Sequence, residues 1–209
     1  MRYPQEKGWK KYDREQTAKA SGTAFLDTHR YLRISPATLV YSMFLDNESF
    51  ASMMHEVGTS MFSQEEAALA ETIRGTEDPQ ALVQLLRKPM QWSSRCLLRD
   101  KILENEACTL PLIKQRALTS MQDHFIESAA EIFLQASENV SEWVMENYKA
   151  FRCEYARSIF SLVVGFRGTL DSIPFLTEEA KRLEQTYPEE SYDQGPYLAV
   201  QELAARFWG

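Results

Sequence analysis

The sequence lacks any run of about 18 apolar residues, the shortest length with which a helix crosses a bilayer. It holds only three cysteines, an odd number, at positions 96, 108 and 153, and no CxxC pair. Wide spacing and an odd count favour buried, free thiols in a reducing compartment over a disulfide framework or a zinc site. The first twenty residues are polar and contain no apolar signal-peptide core, so we expect a cytoplasmic protein.

Patterns that carry catalytic or metal chemistry are also missing. There is no HExxH, no GxSxG and no Glu-x-x-His pair. The three histidines, His29, His55 and His124, are far apart, which favours satisfied or surface histidines over metal ligands. The acidic residues Glu189, Glu190 and Asp193 could hold a hard cation, but they are sparser than the ligands of a calcium loop, and solvated acids are favoured. We therefore predict no catalytic residue, no metal site and no cofactor.

Cys96 is the one candidate nucleophile. The flanking Arg95 and Arg99 could lower the pKa of its thiol. The run Cys96-Leu97-Leu98, however, is typical of a protein core. The favoured interpretation is a buried, inert thiol.

Charge is distributed unevenly along the chain. The whole sequence has 30 acidic and 23 basic residues and a net charge of −7. Residues 1–34 carry about +4, so the remainder carries about −11. An acidic body makes nucleic acid a poor partner. Residues 1–22 are predicted to form a basic, mobile leader that either packs on the acidic body or serves as a binding arm, and residues 23–209 a single domain.

Helical periodicity dominates the rest of the sequence. Ser63 and Glu66 form a capping box for a helix that ends at Gly75, and Asp78-Pro79 begins a helix that reaches Lys88. A helix is predicted to begin at Pro36 and to end near Asn47, and a second to run from there to about His55. Further helices are predicted over residues 92–105, 110–121, 123–136, 141–149, 150–164, 172–187 and 196–207. No segment alternates strictly between apolar and polar residues. The sequence therefore predicts an all-α protein with more than roughly 60% helix and no sheet, against a base rate near one-third helix.

Three prolines, Pro79, Pro111 and Pro174, each precede an apolar run, and the second interval between them is close to twice the first. Glu142 occupies the skipped position. A period of about 30 residues, built from helices, indicates a helical repeat array. The prolines are then expected at equivalent corners, at the starts of parallel second helices, with Gly165 to Gly168 forming a turn. The alternative is an irregular helical bundle.

The segment Val163 to Leu176 resembles a HEAT-like repeat, with an apolar first helix, a turn with two glycines and an acidic residue, and an apolar-Pro-apolar start to the second helix. The resemblance covers residues 156–187 best and 92–121 fairly, and the tail Tyr187 to Tyr197 resembles the end of uncharacterised bacterial HEAT-like proteins. It implies a HEAT-like α-superhelix, a right-handed stack of antiparallel helix pairs.

Such arrays offer long ordered surfaces, which implies a non-catalytic protein–protein interaction scaffold. Helix-wheel positions on the proline-opened helices predict the contact set Gln84, Arg87, Lys114, Glu146, Tyr148, Glu178 and Arg182. Phe207 and Trp208, at the end of the last helix, are predicted to contact a second copy or a partner. The competing hypothesis is a nucleic-acid-binding or DNA-repair protein that resembles bacterial alkylpurine glycosylases, with Trp143 and Arg152 available near a lesion.

Overall fold

A computed structural model describes residues 64–208 of the chain. The chain divides into two compact units, Met1–Ser60 and Met61–Gly209, and the described residues belong to the second. The predictions for the basic leader, for helices before residue 60, for His29 and for His55 lie outside the described residues.

Nine α-helices make up the described part of the chain. They are α1 (Gln64–Gly75), α2 (Pro79–Leu85), α3 (Trp92–Glu104), α4 (Glu106–Thr119), α5 (Asp123–Gln135), α6 (Ser141–Asn147), α7 (Glu154–Arg167), α8 (Ile173–Thr186) and α9 (Gln194–Trp208). Short 3₁₀ turns follow α6 (Tyr148–Ala150) and precede α8 (Leu170–Ser172). Helix accounts for 79% of residues 64–208, which include no strand, so the all-α prediction is confirmed there. None of these helices combines the length and apolar character needed to cross a bilayer.

Local capping chemistry sets several of these boundaries. The carboxylate of Asp78 accepts hydrogen bonds from the backbone amides of Gln80 at 3.2 Å and Ala81 at 3.1 Å, and so caps the first turn of α2. Pro79 is the first residue of that helix, where its missing N–H costs nothing. Pro174 occupies the second position of α8 in the same way. At these two helix starts the sequence prediction is confirmed.

Pro111 departs from the predicted pattern. It is the sixth residue of α4, inside the helix, so it marks no corner equivalent to those of Pro79 and Pro174. The helix break falls earlier, at Asn105, between α3 and α4. Pro111 and Ala107, whose carbonyl loses its amide partner, are both exposed, which keeps the cost of the missing hydrogen bond low. The regular proline spacing was therefore a coincidence.

A regular spacing of helix starts nevertheless exists. Helices α1, α3, α5 and α7 begin at Gln64, Trp92, Asp123 and Glu154, which are nearly evenly spaced along the chain. In space, α1 contacts α3, α3 contacts α5, α5 contacts α7, and α7 contacts α9. Helix α2 also contacts α4. The regular feature of residues 64–208 is thus the spacing of these helix starts rather than the spacing of the prolines.

Contacts between alternate helices show that they run in the same direction. Glu66 of α1 accepts from the amide of Gln91 just before α3, and Lys101 near the end of α3 reaches Glu77 just beyond the end of α1. Tyr155 near the start of α7 contacts Glu127 of α5, and Arg167 at its end donates to carbonyls at the end of α5. The parallel course predicted for second helices holds for α2 and α4, as described below.

The contact between α7 and α9 depends on two glycines. A Cβ on Gly195 would lie 1.9 Å from the carbonyl oxygen of Ser158, and one on Gly165 would lie 2.5 Å from the Cα of Ala199. Gly165 lies inside α7, so the prediction that it forms part of a turn is wrong. Its role is to let two helix backbones approach, and only Gly168 ends the helix.

Candidate protein-binding groove

A groove of about 620 Å³ lies between α2 and α4. Its described lining residues are Gln80, Ala81, Val83 and Gln84 on α2 and Leu112, Gln115, Arg116 and Thr119 on α4. On each helix these positions follow a spacing of three or four residues, so they share one face. We call this feature the α2–α4 groove.

Two arginines form hydrogen bonds near the carboxyl-terminal ends of α2 and α4. Arg116 Nη1 of α4 donates to Gln84 Oε1 of α2. Just beyond the ends of both helices, Arg87 Nε donates to Gln122 Oε1 at 2.5 Å. Because the carboxyl-terminal ends of α2 and α4 lie side by side, the two helices run parallel. The groove therefore has two distinct ends.

The two ends differ in charge. Arg87, Lys88 and Arg116 lie at the carboxyl-terminal ends of α2 and α4, while Asp78 lies at the amino-terminal end of α2. The carboxylate of Asp78 already accepts hydrogen bonds from the first backbone amides of α2. None of the described residues that line the groove carries a carboxylate. The groove is thus basic at one end, and the rest of its wall is formed by uncharged side chains, some polar and some apolar.

The structure places the predicted contact residues in different environments. Gln84 is exposed and lines the groove, and Arg87 is exposed at its basic end. Glu146 and Glu178 are exposed on α6 and α8. Lys114 pairs with Glu138 and lies 5.6 Å from the ring centroid of Trp143, so it joins α4 to its neighbours.

Arg182 is held within an ion network. Its Nη2 donates to Glu154 of α7 at 2.9 Å and to Glu179 at 2.8 Å. Its guanidinium therefore joins α8 to α7. The predicted role of Arg182 in contact with a partner stays a prediction.

The prediction that Tyr148 contributes to a binding surface is wrong. Tyr148 is 2% exposed, and its hydroxyl lies 3.1 Å from Ser161 Oγ. Burial raises the pKa of this phenol. The physical reason is helical spacing, because Tyr148 has α-helical backbone angles and follows the buried Ser141 and Val144 on the same face of α6.

Sequence reasoning missed Gln80, Gln115, Arg116 and Thr119 in the groove. On α4 the prediction chose Lys114, which contacts Glu138 and Trp143 and lies off the groove face. The helical spacing of Leu112, Gln115, Arg116 and Thr119 was a usable signal for that face.

A buried ionic cluster connects α3, α5 and α7. Arg95 Nε donates to Glu131 Oε2 at 2.9 Å, and Arg95 Nη1 lies 3.8 Å from Glu127 Oε2. The hydroxyl of Tyr155 donates to Glu127 Oε1 at 2.5 Å. All four side chains are buried, and residues 125–133 of α5 are buried on every side. Sequence reasoning predicted the helix over residues 123–136 but not the burial of these glutamates.

His124, at the start of α5, is half-buried beside this cluster. Burial, followed by the positive charge of Arg95, lowers its pKa to about 4, against a smaller opposing effect of Asp123. The pKa of an unfolded-state histidine is about 6.5. Between these values the unfolded chain binds more protons, so the contribution of His124 to folding stability is complete above about pH 6.5 and is lost as the pH falls toward about 4.

We predict that the melting temperature of the native chain falls more steeply between pH 7 and pH 5 than that of a His124→Gln variant. The comparison removes the effect of carboxylates that both proteins share. Scanning calorimetry at half-unit pH intervals measures the difference. An NMR titration that places the pKa of His124 at its ordinary value would contradict this prediction.

The three cysteines are thiols rather than disulfides, but they are not all buried as predicted. Cys108 is exposed on α4, while Cys96 and Cys153 are half-buried. Burial raises the pKa of Cys96 to about 11, outweighing the opposite effect of Arg99. The prediction of an unreactive thiol at Cys96 agrees with this environment, because the thiolate is the reactive form.

We therefore expect Cys108 to react first with a disulfide reagent at pH 8. A Cys108→Ser variant should lose the fast phase of thiol release, and Cys96→Ser, the matched control, should keep it. Stopped-flow absorbance measures both. A fast phase that survives in Cys108→Ser would show that another thiol is the accessible one.

The remaining predicted features are placed as follows. Among residues 64–208, no group of three or more His, Cys, Asp or Glu is arranged to hold a metal ion. Trp143 packs edge-on against Phe133 and Phe151, with ring centroids 5.6 and 5.9 Å apart, so its ring belongs to the core packing. Phe207 and Trp208 are 47% and 59% exposed. Their contact with a second copy or a partner stays a prediction.

Comparisons with protein-family models, curated proteins and solved structures find no match for this chain.

Proposed function

We propose that this chain is a non-catalytic protein-interaction scaffold and that the α2–α4 groove is part of its binding surface. The observation that carries the proposal is the groove itself, which lies between the parallel helices α2 and α4 and is lined by exposed carboxamides, an exposed hydroxyl and the half-buried Arg116. Such groups donate and accept the hydrogen bonds of peptide backbone. Apolar surface at Ala81 and Leu112 adds a non-directional contribution.

We further propose that the helices form a HEAT-like, right-handed superhelix of antiparallel pairs. Three observations support it. The starts of α1, α3, α5 and α7 recur at nearly equal intervals, alternate helices contact one another, and alternate helices run in the same direction. Stacked repeats bury a continuous core between neighbours and leave loops and helix faces for partners. The buried cluster of Arg95, Glu127 and Glu131 links successive members of this stack.

A photo-crosslinking experiment tests the function. A benzoylphenylalanine is placed at Gln84, inside the groove, or at Glu190, an exposed loop position outside the groove that serves as the matched control. After irradiation in extracts of the source cells, we expect a protein adduct from the Gln84 position only. The adduct should be sensitive to protease and resistant to nuclease, and the captured protein, once purified, should bind the chain directly.

Two results would contradict the proposal. One is a nuclease-sensitive adduct at Gln84, which would favour the DNA-repair alternative. The other is equal crosslinking at Gln84 and Glu190, or none at either.

A further inference from the structure

We infer that the α2–α4 groove binds a short acidic segment of its protein partner, with a carboxylate against Arg87 and Arg116. This inference rests on the proposed function and names the chemistry of the partner. It begins with hydrogen-bonding capacity. At the basic end, the carboxamide oxygens of Gln84 and Gln122 already accept from Arg116 and Arg87.

The side-chain groups at this end that are still able to form hydrogen bonds are donors. Gln84 keeps its Nε2 amide hydrogens, Arg116 keeps Nε and Nη2, and Arg87 keeps both Nη groups, none of which bonds to another described residue. Arginine has no acceptor atom, and an amide nitrogen only donates. A ligand that complements this end must therefore supply acceptor oxygens. Carboxylates supply up to four acceptor positions and form stronger bonds to guanidinium than neutral groups do.

Charge favours the same ligand. Arg116 lines this end, Arg87 and Lys88 follow directly after α2, and the described lining residues include no acid. The side chains of Arg87 and Arg116 are also fixed in position by the glutamines. Fixed guanidinium groups lose less conformational freedom on binding a carboxylate than unrestrained ones.

The size of the groove and the charge of the surrounding protein distinguish a short acidic peptide from a nucleic acid. Helix α2 has seven residues, a length of about 10 Å, which three or four extended residues of a peptide would span. Residues 64–208 carry 23 acidic and 15 basic side chains, a net charge of −8. A long polyanion would approach that acidic surface within the screening distance of about 8–10 Å, whereas a short segment need contact only the basic end.

Selection from a random 12-residue peptide display library on the purified full chain tests the inference. The expected result is enrichment of peptides with at least twice the Asp and Glu content of the starting library. A selected peptide, labelled with fluorescein, should bind the Arg87→Gln/Arg116→Gln variant at least about tenfold more weakly, because two charge-assisted contacts are lost. Its affinity should also fall when sodium chloride rises from about 50 to about 500 mM.

Two further variants separate binding from folding. Gln115→Glu places a negative charge on an exposed position of the groove and should weaken the same peptide without changing the circular dichroism spectrum. Lys181→Gln removes an exposed charge from α8, outside the groove, and should leave the affinity unchanged.

Enriched peptides that are neutral or basic would overturn the inference, as would an affinity that Gln115→Glu leaves unchanged. Stronger binding of a single-stranded DNA 12-mer than of the selected peptide would overturn it in favour of nucleic acid. If the crosslinking gives a groove-specific protein adduct at Gln84 but the selected peptides are neutral, the acidic ligand is overturned and the scaffold function is supported. A failure of the inference is therefore distinguishable from a failure of the proposed function.

Discussion

Replacing Gly195 with alanine is expected to lower the free energy of unfolding by about 3 kcal/mol or more, since overpacking of a close contact typically costs about 1–3 kcal/mol and sometimes more. The added Cβ would lie 1.9 Å from the carbonyl oxygen of Ser158, a backbone atom that can move only if α7 and α9 separate. For a chain of this size the melting temperature should fall by about 6–12 °C. Urea unfolding followed by circular dichroism measures the change.

Gly165→Ala should act in the same direction, because its Cβ would lie 2.5 Å from the Cα of Ala199. Gly75→Ala is the matched control. No atom lies within 4 Å of a Cβ at Gly75, which ends α1 in an exposed position. Alanine there should be neutral or stabilise the fold by about 0.4–1 kcal/mol. Equal effects at Gly195 and Gly75 would show that the close approach of α7 and α9 is not needed for stability.

The second large effect is expected at the buried ionic cluster. Replacing Arg95 with methionine removes the cation that contacts Glu131 at 2.9 Å and Glu127 at 3.8 Å, while both carboxylates stay buried. Removing one partner of a buried ion pair costs about 3–5 kcal/mol, because the remaining charge has been taken out of water without compensation. Chemical denaturation of Arg95→Met should show a loss of this size.

A double-mutant cycle isolates the pair. Adding Glu131→Gln to Arg95→Met should recover part of the lost stability, because a neutral amide needs less compensation than a carboxylate. Arg74→Met is the matched control, since its ion pair with Glu71 is largely exposed, and such pairs contribute about 0–1 kcal/mol. A loss in Arg95→Met no larger than in Arg74→Met would show that the cluster does not stabilise the fold.

Helix starts with a local chemical signal were predictable from sequence. Pro79 and Pro174 lie at helix starts as expected, because the fixed φ of proline acts within one turn, and Asp78 also caps the first of these helices through its side chain. Pro111 was not predictable by the same rule. A proline tolerated on the exposed side of a helix looks, in sequence, the same as one that begins it.

The candidate groove was only partly predictable. Gln84 and Arg87 follow from the helix-wheel position of α2, whose start was correctly placed. On α4 the prediction chose Lys114, which contacts Glu138 and Trp143, instead of the row that includes Arg116. On α6 it placed Tyr148 on the surface, although Tyr148 lies in one row with the buried Ser141 and Val144. A correct helical period with the wrong choice of buried face exposes the wrong residues.

By itself, the sequence determined that residues 64–208 are helical and roughly where most of the helices in this range lie. These properties are local, because capping, periodicity and turn chemistry depend on neighbours within about one turn of helix. Only the tertiary structure decided that Gly165 and Gly195 bring α7 against α9, that Arg95 meets Glu127 and Glu131, and that Arg116 joins Gln84 across a groove. Those contacts join residues that are distant in the sequence. They depend on the direction and spacing of packed helices, which no short window of sequence specifies.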